Sequence, residues 1–139
     1  MADSRPPITC HILDTTAGRP APSIPVTLTL LSATGSHTKI SYLGTTNSDG
    51  RVGVWISSGA QEAPPLEVVF GQYGGALMWE LRFEVQEYWA VQGITPFFPV
   101  VNVRFQTQGF LGMRSGERTP HWHVPLLLGP FAYSTYRGS

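Results

Sequence analysis

The sequence predicts an all-β domain in which eight strands form two packed sheets, a β-sandwich. Twelve prolines and fifteen glycines divide the 139 residues into short runs. These runs are rich in Val, Ile, Thr, Phe, Trp and Tyr, the residue types that strands favour. A chain of this length can bury one core without disulfides and has no room for a second domain.

The predicted strands are the eight runs between clusters of turn residues. They span residues 8–14, 25–31, 39–46, 51–56, 76–85, 100–107, 121–128 and 131–137. We take residues 1–7 as a flexible N-terminal segment and 8–139 as the folded domain.

Three connections have a predicted form. Between residues 85 and 96, helix formers end at Gly93, which suits a left-handed C-cap, and Pro96 follows, so we expect one short helix there. Asn-Ser-Asp-Gly at 47–50 has the chemistry of a turn that delivers Arg51 at the start of a strand. Residues 57–75 surround the apolar run 66–70 and predict a long connection with one extra strand or turn.

Composition excludes several classes of function. Nine basic residues balance nine acidic ones, and no Lys/Arg cluster suits a nucleic acid backbone. No stretch approaches the roughly 20 apolar residues of a membrane-spanning helix. The lone Cys10 favours a reducing compartment and excludes a cysteine-based metal cluster. Only 13% of residues are charged, which favours association with other subunits.

The candidate chemistry lies on two histidine-bearing strands. His11 shares a strand face with Leu13, and a single imidazole there, taken alone, is more typical of a core or an interface than of a site. His121 and His123 lie two apart, a possible half-site for zinc. Completing it would need a third or fourth ligand, for which the chain offers only His11, His37 and carboxylates such as Asp14. We therefore favour metal-free acid-base chemistry, which an ordinary imidazole pKa of about 6.5 suits.

Four stretches resemble the transthyretin-related 5-hydroxyisourate hydrolases. They are Cys-His-Ile-Leu-Asp at 10–14 with Gly-Arg-Pro-Ala at 18–21, Asp-Gly-Arg at 49–51, Gly-Ile-Thr-Pro-Phe-Phe-Pro-Val-Val at 93–101, and residues 121–139. The closing Tyr-Arg-Gly-Ser is the most specific, because it resembles the signature that separates these hydrolases from hormone-carrying transthyretins. Residues 85–89 and the long 57–75 connection depart from the family pattern.

The resemblance implies a transthyretin-like sandwich that assembles as a homotetramer, a dimer of dimers, with active sites in a channel. The expected reaction is hydrolysis of 5-hydroxyisourate to 2-oxo-4-hydroxy-4-carboxy-5-ureidoimidazoline in urate breakdown, without a metal or cofactor. The catalytic positions it implies are His11, Arg51, His123 and Ser139. The substrate-binding positions it implies are Ser134, Tyr136, Arg137 and Gly138.

Other interpretations stay open. The same tetramer could carry an apolar ligand without catalysis, although His11, Arg51 and His123 would make its channel polar. A generic interaction module would also explain the strands, but not the four matched stretches. We read His37 as a solvated loop residue and His121 as ambiguous. Arg-Gly-Ser differs from a Ser-Lys-Leu address, so we expect a cytoplasmic protein, with the peroxisome as the alternative.

Overall fold

Two five-stranded sheets pack face to face in the computed structural model, which describes residues 5–34, 39–59 and 62–139. The strands are β1 Ile8–Asp14, β2 Arg19–Pro20, β3 Pro25–Ala33, β4 Ile40–Thr45, β5 Arg51–Val52, β6 Ile56–Ser58, β7 Ala76–Glu84, β8 Val100–Gln108, β9 Trp122–Leu128 and β10 Tyr133–Thr135, and the helices are α1 Leu66–Gln72 and α2 Gln86–Ala90. The first sheet has the order β10-β9-β1-β2, with β5 also paired to β1, and the second has the order β6-β4-β3-β7-β8. The predicted two-sheet sandwich is confirmed.

The first sheet has a parallel pair at its centre, β1 with β9. Ile8, Cys10 and Ile12 are fully buried against the second sheet. Because successive side chains of a strand alternate between faces, Thr9 and His11 lie on the outer face of the first sheet. The parallel register places Thr9 beside His123 and His11 beside Pro125.

The predicted strand over 51–56 is wrong, because this segment supplies two short strands to different sheets. Arg51 pairs with His11 in the first sheet, and Ile56 pairs with Leu43 in the second. Residues 53–55 cross between the sheets, and the Trp55 indole donates a hydrogen bond to the Ile8 carbonyl at 2.9 Å. With β2 also present, the described residues hold ten strands where eight were predicted.

The apolar run at 66–70 forms helix α1, which corrects the expectation of an extra strand or turn. Leu66, Val69 and Phe70 are buried, and their i, i+3, i+4 spacing places them on one helical face. Phe70 stacks on Trp79 at 5.4 Å and on Trp122 at 5.5 Å between ring centroids. The structure therefore contains two helices where one was predicted.

The predicted short helix is α2, and Gly93 beyond it has a left-handed φ of 75°. The Tyr88 hydroxyl of α2 donates a hydrogen bond of 2.6 Å to the buried carboxyl of Asp14 at the end of β1. The same carboxyl accepts from the backbone of Thr16 and Ala17 at 2.9 Å. Helix α2 is thus hydrogen-bonded to the strand that carries His11.

No helix in the described ranges is long and apolar enough to span a membrane.

Candidate active site

A cavity of about 650 Å³ opens on the outer face of the first sheet, where β1, β5, β9 and the C-terminal residues meet. Six of the eight predicted site residues line it. They are His11, Arg51, His123, Tyr136, Gly138 and Ser139. His121, whose place was ambiguous in the sequence, also lines this cavity.

Two imidazoles face each other across the parallel strands. The ring centroids of His11 and His123 lie 6.3 Å apart, and the ring planes are inclined by 28°. Both side chains are half-buried. This separation leaves the rings out of mutual hydrogen-bond contact and allows both to act on one small molecule.

A tight turn presents Arg51 to the imidazoles, as the sequence predicted. The side-chain oxygen of Asn47 accepts hydrogen bonds from the backbone N–H groups of Asp49 and Arg51, at 2.9 and 3.0 Å. Gly50 has a φ of 73°, and a Cβ at this position would lie 2.5 Å from the Ile12 carbonyl oxygen. The turn therefore requires glycine directly before Arg51.

The electrostatics of the cavity favour neutral histidines. Burial lowers the pKa of His11, and the positive charge of Arg51 lowers it further, against an opposing hydrogen bond to the Asp49 backbone. Burial also lowers the pKa of His123, followed by the charges of Arg51, His11 and His121. Near neutral pH both rings therefore keep a lone pair that can accept a proton.

The C-terminal residues lie over His123. The Gly138 backbone N–H donates to the His123 carbonyl oxygen at 2.8 Å. A Cβ at Gly138 would lie 2.8 Å from Cδ2 of His123 and 3.0 Å from Cγ of Pro125. Only a glycine lets the tail approach this closely, and the approach brings Tyr136 and Ser139 to the cavity.

Two predicted substrate-binding residues lie outside this cavity. The Arg137 guanidinium sits 5.8 Å from the centroid of the Trp122 ring, and its Nη2 donates to the His121 carbonyl oxygen at 3.4 Å. It lines a separate groove beside β8. Ser134 is exposed on β10, opposite Leu127.

Sequence reasoning did not single out Thr9 as a member of the site. Its hydroxyl oxygen lies 3.0 Å from Nε2 of His121 and 2.8 Å from Nδ1 of His123. Period-two alternation puts Thr9 on the same face as His11, so the signal was present. The contact itself depends on pairing between strands more than a hundred residues apart, which no local pattern reveals.

No group of three or more His, Cys, Asp or Glu residues in the described ranges is placed to hold a metal ion. His37, read from the sequence as a loop residue, lies outside the described residues. The two facing imidazoles, with Arg51 beside them, are groups that can transfer protons at one small molecule.

Comparisons with known proteins agree with this fold. The chain is 33% identical to the 5-hydroxyisourate hydrolase of Mus musculus over 139 residues, 100% of both chains. It is 34% identical to the uric acid degradation bifunctional protein TTL of Arabidopsis thaliana, covering 98% of this chain but only 38% of that protein. Transthyretin from Sparus aurata superimposes with a TM-score of 0.69 at 29% identity, covering 96% of this chain and 97% of that one. The HIUase/Transthyretin family model matches residues 8–138, and the chain therefore belongs to this family.

Proposed function

We propose that this chain hydrolyses 5-hydroxyisourate to 2-oxo-4-hydroxy-4-carboxy-5-ureidoimidazoline, a step in urate breakdown. The observation that carries the proposal is the gathering of two neutral imidazoles and one guanidinium around a single cavity of about 650 Å³. The mouse relative, which matches this chain over the whole length of both proteins, is named for this activity.

The reaction needs a base, an oxyanion donor and an acid. Water loses a proton and bonds to the lactam carbonyl carbon, the ring C–N bond breaks, and the leaving nitrogen takes up a proton. His11 and His123 jointly transfer these protons. Arg51 anchors the substrate and stabilises the developing oxyanion, because its fork of N–H donors is permanently charged. The hydrolysis uses no cofactor and no metal.

The C-terminal residues complete the substrate pocket. Tyr136 narrows the cavity, Gly138 allows the tail to approach, and Ser139 contacts substrate or holds a histidine. Arg137 and Ser134 lie outside the cavity of one chain, so their proposed contribution to substrate binding depends on the assembled protein. Loss of residues 136–139 should therefore abolish turnover.

The proposed assembly is a homotetramer built as a dimer of dimers. Strands β8 and β10 end their sheets, and in the described ranges no further strand pairs with either. Both border one groove of about 230 Å³, so the two edges lie side by side. Unpaired edges recruit strands from another chain unless they are protected.

We place the enzyme in the cytoplasm, with the peroxisome as the alternative, and its folded domain at residues 8–139.

Freshly generated 5-hydroxyisourate, followed by its ultraviolet absorbance, tests the activity. The protein should accelerate the decay of the substrate. His11→Ala and His123→Ala should each lower the rate about 10²- to 10⁴-fold, the usual loss for one general acid-base partner, while circular dichroism stays native. Decay at the uncatalysed rate with the wild-type protein would refute the proposed function.

A ligand carrier is the second candidate, and the likeness to the Sparus aurata transthyretin favours it. The charged and polar lining argues against it, since an apolar ligand would leave Arg51 and the imidazoles without partners. A carrier would bind an apolar aromatic ligand tightly and leave the 5-hydroxyisourate decay unchanged.

A further inference from the structure

A continuous series of hydrogen bonds leads from the start of the domain to His123. The Pro6 carbonyl oxygen lies 3.0 Å from Nδ1 of His121. Nε2 of His121 lies 3.0 Å from the Thr9 hydroxyl oxygen, which lies 2.8 Å from Nδ1 of His123. Three side chains from the edge of one cavity thus form a single hydrogen-bonded array.

Taken with a neutral His121 ring, the Pro6 carbonyl oxygen fixes the direction of every bond in the array. A carbonyl oxygen only accepts, so Nδ1 of His121 must carry a proton. In the neutral ring, Nε2 of His121 is then an acceptor, and the Thr9 hydroxyl donates to it. The only proton of the hydroxyl is engaged in this bond, so the hydroxyl oxygen accepts from Nδ1–H of His123. The lone pair of neutral His123 therefore resides on Nε2.

We propose that Thr9 and His121 are positioning residues that hold His123 in the Nδ1–H tautomer and thereby make its Nε2 the atom that takes the proton from water. This assignment rests on the proposed function and separates the roles of the two histidines. Nε2 takes a proton from water as the water oxygen bonds to the carbonyl carbon. His123 becomes an imidazolium that keeps its Nδ1–H bond to Thr9.

The backbone holds this array in place. Thr9 and His123 are paired positions of the parallel β1–β9 ladder. The Trp122 backbone N–H donates to the Pro7 carbonyl oxygen at 2.8 Å, which anchors the start of β9 directly after His121. The lowered pKa of His123, caused first by burial, keeps the ring neutral, as a proton acceptor must be. Functional imidazoles are commonly oriented by a bond to the opposite ring nitrogen.

Nitrogen-15 NMR of the histidine rings tests the tautomer without any substrate. In the wild type, Nδ1 of His123 should give the signal of a protonated nitrogen and Nε2 that of an unprotonated one. Thr9→Val keeps the shape of the side chain and removes the hydroxyl, so the two tautomers should mix. Thr9→Ser keeps the hydroxyl and should restore the wild-type spectrum. His121→Phe should weaken the preference, since Thr9 loses the acceptor that orients it.

Kinetics test the consequence for the reaction. Thr9→Val should lower kcat about 10- to 100-fold, by analogy with the loss when the hydrogen-bond partner of a metal-binding histidine is removed, with KM nearly unchanged. Thr9→Ser should recover most of kcat. The matched control is Thr29→Val on β3, which removes a comparable hydrogen bond to Ser41 of 3.0 Å in the other sheet and should leave kcat unchanged.

The outcomes separate this inference from the proposed function. Wild-type kcat in Thr9→Val, or a wild-type spectrum showing the Nε2–H tautomer, would overturn the positioning role even in an active enzyme. A wild-type protein without hydrolase activity would overturn the proposed function, and the spectra alone would then decide the tautomer. If Thr9→Val fails to fold, the spectrum and kcat of His121→Phe decide in its place.

Discussion

The positive charge of Arg51 changes the pKa of both imidazoles, in addition to the substrate anchoring that we propose for this residue. It lowers the pKa of His11 and of His123, second only to burial in each case. The base form of a histidine is lost as the pH falls through its pKa, so lowered values extend activity toward acid. The residue that we propose to anchor the substrate thus also favours the neutral form of both histidines.

Arg51→Gln should therefore raise the pKa of both histidines toward the ordinary value. Proton NMR titration of the ring signals measures this shift in the free protein, where loss of substrate binding has no influence. The matched control is Arg82→Gln on β7, which removes an exposed arginine paired with Glu84 and should leave both titrations unchanged. Unchanged titrations in Arg51→Gln would contradict the assigned electrostatics.

Gly138 determines how closely the C-terminal residues 136–139 approach His123. Gly138→Ala would place a methyl group 2.8 Å from the His123 ring, and the tail would have to move away. We expect turnover to fall by up to about 100-fold, since a displacement of about 1 Å at a reacting centre can cost this much. The thermal midpoint should hardly change, because residues 136, 137 and 139 are exposed. Gly71→Ala, which meets no atom within 4 Å, is the control for kcat, and equal kcat in the two variants would refute this role.

At the scale of single residues, strand alternation predicted which side chains share the outer face. It placed His11 and His123 correctly relative to the buried Ile12 and Val124. The role of Thr9 escaped it, because period-two patterns describe one strand at a time. Recognising the Thr9–His123 contact requires the parallel register of two strands at opposite ends of the chain.

The element that most directly sets the site geometry is the turn before β5. Gly50 and Gly18 both have left-handed φ values, 73° and 69°. They differ in space, since a Cβ at Gly50 would meet the Ile12 carbonyl oxygen at 2.5 Å, and one at Gly18 would meet no atom within 4 Å. The first position thus carries a steric demand that the second lacks.

Gly18→Ala should lower the free energy of unfolding by about 1–2 kcal/mol, the cost of the left-handed conformation alone. Gly50→Ala should add about 1–3 kcal/mol for the overpacking, and should reduce activity because Arg51 moves with the turn. Urea denaturation with both variants measures the difference. Equal losses of stability would show that contact with Ile12 does not constrain the turn.

At the scale of elements, sequence predicted the long strands well and the short ones poorly. β1 was predicted over its full length, because turn residues bound its apolar run. Residues 51–56 contain one glycine, Gly53, but an isolated glycine inside a strand pattern does not by itself indicate a crossing between sheets, so the prediction joined β5 and β6. Residues 66–70 are too short for periodicity to distinguish helix from strand, and only packing of Phe70 on Trp79 and Trp122 decides it.

On the scale of the whole molecule, the cavity and the unpaired edges belong to different parts of the surface. The cavity lies on the outer face of the first sheet, whereas β8 and β10 run along one side of the sandwich. Pairing at these edges would therefore form one interface and leave the cavity face available for a second, as a dimer of dimers requires. Phe97 and Phe131 are also exposed, at 72% and 69%, and the Phe97 backbone N–H donates to the Pro130 carbonyl oxygen at 2.8 Å.

Charging the β8 edge should therefore weaken assembly without disturbing the fold. Gln106 is exposed on β8 and lines the groove shared with the tail, and lysines on edge strands oppose pairing with another chain. We expect Gln106→Lys to shift dissociation of the proposed tetramer to higher protein concentration in sedimentation velocity experiments, while circular dichroism stays native. Gln72→Lys, which adds the same charge at an exposed position of α1, should sediment as the wild type does. A wild-type protein that sediments only as a monomer would remove the shared channel, and with it any contribution of Arg137 and Ser134 to a site formed between subunits.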